Sequence, residues 1–157
     1  MNESDPTGDC GRLADYLYDN KDSFMHKWLM QARNDQEVLS DGLSNFNLTD
    51  HVPKIFDAIL EALRNQCSQT HSDVQAITAR HTVIRWVQSY DLRAVLREVS
   101  LLRTEFVYAM FTFNEQNPAI SGSSHRMNAS IIHRILDGVV LDATETFFKL
   151  DGRAAEK

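Results

Sequence analysis

Hydrophobic and polar positions along this chain recur at helical intervals almost throughout. The cleanest run is Leu92, Val95, Val99, Leu102, Phe106, Ala109 and Phe113, a 3,4,3,4 spacing held for three heptads. That pattern predicts a helix packed lengthwise in a bundle. Asp91 precedes it as a natural N-cap, and Pro118 forbids continuation past Asn114 to Asn117, with Ser121-Gly122-Ser123-Ser124 reading as a loop. Earlier in the chain, Leu13, Leu17, Phe24, Trp28 and Ala32 lie at or near multiples of four and predict a first helix from Arg12 to about Arg33, bent around Asp19-Asn20. Asn34 to Asn47 reads as a loop with a short turn around Val38 and Leu39.

A second helix, capped by Thr49 or Asp50 and tolerating Pro53 in its first turn, buries Val52, Ile55, Phe56, Ile59, Ala62 and Leu63. A third is capped by Ser72 or Asp73 and runs to about Gln88, with Val74, Ile77, His81 and Ile84 on one face. The fifth and last, from about His125 to Leu150, carries two adjacent apolar rows: Ile131, Ile135, Val139 beside Ile132, Leu136, Val140, Ala143, Phe147. A face that wide is buried on two sides, by a central position or by a second subunit, so Ile131, Ile135 and Val139 are the candidate homodimer interface. No alternating strand pattern occurs. The expected class is all-α, a single bundle of four to five long helices with a globin-like arrangement as one form of it. A flexible lead-in over 1–11, a helical domain over 12–150 and a tail or linker over 151–157 complete the division.

Composition narrows the function. A chain of 157 residues with 43% hydrophobic and 24% charged residues buries one core. A net charge of −6 without a basic face argues against nucleic acid as a partner. No apolar run has the length of a signal sequence or a membrane span, so a cytoplasmic protein is expected. Cys10 and Cys67 form neither a CxxC nor a disulfide framework and read as reduced thiols. Phosphate loops, GxSxG and HExxH are missing from the sequence, so no catalytic residue and no metal site is assigned.

The candidate chemistry is a set of polar residues near the apolar stripe: His81 and Arg85 on the third helix, Glu98 and Arg103 on the fourth. Charges near a core are costly unless paired, so the four read as a structural or switching latch between those helices. His81 has two further readings. As a phosphoacceptor it is disfavoured by Trp86, where such motifs carry a small residue; as a haem ligand it would make the protein a globin-like sensor. No other cofactor is implied. Trp28 and Tyr90 read as core aromatics with one polar handle, or as ligand-stacking groups lining a cavity. His133 and Asp137, one turn apart, read as a solvated pair.

The string His81, Arg85, Tyr90, Asp91, Leu92, Glu98, Leu102, Arg103, in the frame H-x3-R-x4-Y-D-L-x5-E-x3-L-R, resembles the N-terminal input domain of RsbT co-antagonist proteins of the RsbR stressosome type, also found at the front of bacterial sensor histidine kinases. Leu13-x3-Leu17 with Trp28, and Asp50-His51-Val52-Pro53 followed by Ile55, Phe56, Ile59 and Leu63, agree with it over roughly residues 12 to 150. Ser89 and Val99 depart from the glycine and the aromatic that such domains carry there. The resemblance implies a helical, non-enzymatic sensory domain that dimerises and signals to a C-terminal output module or a partner protein.

Overall fold

The computed structural model describes residues 6–39, 52–65, 80 and 91–155, all of whose regular elements are helices. The expected all-α bundle is what forms. In chain order the elements are α1 (Pro6–Asp19), α2 (Lys21–Asn34), α3 (Gln36–Leu39), α4 (Val52–Asn65), α5 (Leu92–Gln116) and α6 (Gly122–Ala155). The third predicted helix lies outside the described residues apart from Arg80.

Helix α1 begins earlier than the sequence pattern suggests. Pro6 occupies its first position, where a missing N–H has no intrahelical partner to lose, so the supposed flexible lead-in is helical from residue 6. Leu13, Ala14 and Leu17 form its buried side. The bend expected at Asp19-Asn20 is present. Asn20 leaves helical geometry (φ −105°, ψ 12°), yet its N–H still donates to the Tyr16 carbonyl (3.2 Å) and its own carbonyl accepts from Phe24 N–H (2.9 Å). The Asn20 side chain also donates to the Tyr16 carbonyl (2.8 Å), the local competition with the backbone that disfavours Asn inside helices. One long helix thus becomes two of 14 residues each.

After α2, the Asp35 carboxylate accepts from Val38 N–H (3.3 Å), and the short turn expected at Val38 and Leu39 is the single-turn helix α3, with Val38 fully buried. All six residues expected on the buried face of α4 are buried, joined by Ala58 and Leu60.

Helix α5 starts where Asp91 caps it, the carboxylate accepting from Arg93 N–H (3.1 Å). Val95, Val99, Leu102, Phe106 and Phe113 of its stripe are buried, with Leu92 and Ala109 half-buried at the edges. A second buried row, Ala94, Glu98, Leu101 and Glu105, runs beside it, and α5 packs against α2 and α3 as well as α6. The centre of the core is a trio of rings from three helices. Phe24 lies 4.8 Å from Phe56 and 4.6 Å from Phe106, and Phe56 and Phe106 stack at 5.4 Å. Such offset and tilted pairs add to what burial alone contributes.

Helix α6 also starts early. Ser121 is its cap, its hydroxyl accepting from Ser124 N–H (3.2 Å) and its carbonyl from His125 N–H (3.1 Å), so the expected serine loop is mostly first turn. Its 34 residues make a rod about 51 Å long. The wide apolar face is buried on two sides, as its width requires, but both sides are supplied by this chain: α6 packs on α1, α4 and α5. Ile131 (0% exposed) and Val139 (2%) are core residues and Ile135 is half-buried. The proposed dimer interface at Ile131, Ile135 and Val139 is therefore corrected, because intrachain packing already consumes that surface. No described helix is long and apolar enough to cross a membrane.

Candidate functional site

The polar latch expected around α5 divides into separate contacts. Glu98 and Arg103 are five residues apart, about 140° around a helix of 3.6 residues per turn, so they face different neighbours. Glu98 is 2% exposed on the side toward α2, where its backbone carbonyl accepts from Trp28 Nε1 (3.4 Å). Arg103 turns toward α6, donating through Nη1 to His133 Nδ1 (3.0 Å) and through Nη2 to Asp137 (2.5 Å). Arg103 thus latches α5 to α6, which corrects its assignment to one cluster with Glu98. His81, Arg85 and Tyr90 lie outside the described residues.

The Arg103 contact also corrects the reading of His133 and Asp137 as merely solvated. His133 is half-buried, and because a guanidinium only donates, Nδ1 is the accepting nitrogen in this contact. Asp137 remains 63% exposed, so its ion pair with Arg103 is a surface interaction. Trp28, 1% exposed with its N–H bonded to backbone, is a core aromatic rather than a stacking platform.

A different group of residues forms a cleft where the α1–α2 bend faces α5. The bend brings Tyr16, Asn20, Ser23 and Lys27 opposite Glu105, Tyr108 and Thr112, over apolar walls that include Leu17, Phe24 and Ala109. The cavity volume is about 90 Å³. Glu105, 5% exposed, anchors it and accepts a hydrogen bond from Gln31 Nε2, one turn beyond Lys27. Burial pushes the Glu105 carboxyl above its ordinary range; the Lys27 ammonium and the Gln31 amide pull the other way and are outweighed. Asn20, the residue that breaks the helix, lines this cleft, so the local kink is also what opens it.

The pattern held a signal for Glu105 that stripe analysis passes over. Glu98 and Glu105 are seven residues apart in the row shared with Ala94 and Leu101, so two carboxylates repeat on one otherwise apolar line. A heptad-spaced acid on a second face marks polar burial, and its partners at Lys27 and Gln31 become visible only once α2 is placed.

Chemically, the described residues of the cleft offer a carboxylate, hydroxyls and the amide of Asn20 beside one ammonium. Elsewhere in the interior, Asn128 on α6 is 2% exposed, and neither its Oδ1 nor its Nδ2 has a hydrogen-bond partner among the described residues. Among the described residues there is no group of three or more His, Cys, Asp or Glu side chains that could hold a metal. The chain matches no family model, no curated protein and no solved structure.

Proposed function

We propose that this chain is a non-catalytic signal-input and dimerisation domain of a bacterial sensor, of the histidine kinase or stressosome co-antagonist type, in which α6 carries the two-fold contact. The observation behind the reading is an exposed row along that rod. Met127, Arg134, Leu141 and Phe148 recur every seven residues, and Leu141 is 69% and Phe148 62% exposed. Seven-residue repetition keeps a line of side chains facing one partner helix, as in a coiled-coil seam. Large apolar side chains repeated along one exposed line favour a partner more than singly scattered ones do.

Two further features support it. Ala143 of α6 clusters with Ala94 and Val95 near the start of α5, so the last turns of α6 run on past the end of its neighbour. A rod that continues past the start of α5 is suited to passing a change in helix position to an output module or partner protein. The resemblance of the His81 to Arg103 frame to stressosome input domains points to the same role.

Light scattering on the eluting protein tests the reading. A dimer has twice the chain mass of 17.9 kDa, and Leu141→Asp with Phe148→Asp returns the folded protein to the single-chain mass. A wild-type protein that stays monomeric at high concentration, or a double variant that remains dimeric, defeats it.

A further inference from the structure

We propose that the cleft between the α1–α2 bend and α5 binds a small primary ammonium compound, seated on the carboxylate of Glu105. The assignment concerns the interior of one chain and stands whether or not α6 dimerises.

Size sets the first limit. A dry cavity of about 150 Å³ holds a benzene molecule, so about 90 Å³ accommodates roughly four non-hydrogen atoms. Polarity sets the second. The side-chain N–H and O–H groups assigned here already point at protein acceptors: Asn20 Nδ2 donates to the Tyr16 carbonyl (2.8 Å), Thr112 Oγ1 to the Tyr108 carbonyl (3.1 Å), and Gln31 Nε2 to Glu105. The side-chain oxygens of Asn20 and Thr112 and the carboxylate of Glu105 keep lone pairs that can accept from a ligand rich in N–H donors.

Charge sets the third. An ionised carboxylate that is 5% exposed is stabilised by a cation brought within contact distance. Lys27 acts on Glu105 through space from an exposed position, and the carboxylate, which accepts from Gln31, keeps further lone pairs for a smaller cation. The walls contributed by Leu17, Phe24 and Ala109 accept a one- or two-carbon tail. Because Lys27 carries the same charge as the ligand, it competes with it rather than assisting.

Nitrogen-15 NMR titration of the intact chain with ethylammonium chloride, against ethanol and potassium chloride as controls, tests the proposal. Saturable shifts should gather on Lys27 to Gln31 and Glu105 to Ala109, with half-saturation on the order of millimolar for so small a ligand. Glu105→Gln should weaken binding about ten-fold or more, and Lys27→Met should tighten it several-fold by removing the competing charge. Equal response to ethanol or to potassium chloride, unsaturable shifts, or unchanged binding by Glu105→Gln overturns the proposal. Should Glu105→Gln fail to fold, Lys27→Met at the surface decides alone: weaker binding there means that Lys27 holds the ligand, and the ammonium assignment is wrong.

Discussion

Replacing Phe106 with alanine strikes the point where α2, α4 and α5 meet, and the rotation of α5 that buries Glu105 depends on that point. Phe106 is 0% exposed and its ring lies 4.6 Å from Phe24 and 5.4 Å from Phe56. Truncating a buried phenylalanine costs about 3 to 5 kcal/mol, part from lost transfer energy and part from the cavity left behind. Both ring pairs disappear with it, which places the loss toward the upper half, about 4 kcal/mol. Against a total stability of about 5 to 15 kcal/mol, that is a roughly thousand-fold change in the folding equilibrium. Phe111 on the same helix is the internal control. It is 62% exposed, so Phe111→Ala should stay within about 0.5 kcal/mol of wild type. Urea unfolding followed by far-ultraviolet circular dichroism reads both. With a slope of about 2 kcal/mol per molar, Phe106→Ala lowers the midpoint by roughly 2 M while Phe111→Ala leaves it in place. A Phe106→Ala midpoint within about 0.5 M of wild type, or an equal fall for Phe111→Ala, would refute this orientation of α5.

Three other outcomes follow from the same geometry. The Glu105 carboxyl titrates higher in the folded chain than in the unfolded one, so its contribution is fully present below the unfolded value and is lost as pH rises through the folded value; Glu105→Gln should flatten that decline in urea midpoints, and an identical pH profile in both proteins contradicts it. Arg103→Ala removes one bond to His133 and one exposed ion pair with Asp137, for a loss of about 1 to 2 kcal/mol, and a double-mutant cycle with His133→Ala should return a coupling of at least about 0.5 kcal/mol. Asn128→Leu exchanges a buried amide without a partner among the described residues for hydrocarbon of the same branched outline but larger volume, and should stabilise the fold by about 1 kcal/mol in the same urea assay; a comparable loss in both Asn128→Leu and the smaller Asn128→Ala means that the amide is satisfied in solution.

Local chemistry determined much of this protein before any packing is considered. The period of Leu92 to Phe113, the cap at Asp91, the stop before Pro118, the bend at Asn20 and the buried face of α4 are properties of neighbouring residues, and each is legible in the chain. Helix starts were harder to read. Pro6 and the serines after residue 120 serve equally well in a loop or in a first turn, because both leave backbone N–H groups without helical partners.

The site was less legible, for a geometric reason. The cost of unpaired charge near a core placed Glu98 and Arg103 in one cluster, whereas helical rotation sends one toward α2 and the other to His133 and Asp137 on α6. The rows of α6 likewise announced burial on two sides without naming the neighbours, and only the assembled bundle turned Ile131 and Val139 inward and left Leu141 and Phe148 outside. Periodicity fixes which residues share a face, since that follows from the turn of one backbone. The surface that a face meets depends on contacts between segments far apart in the chain, so the cleft around Glu105 exists only once α1, α2 and α5 are brought together.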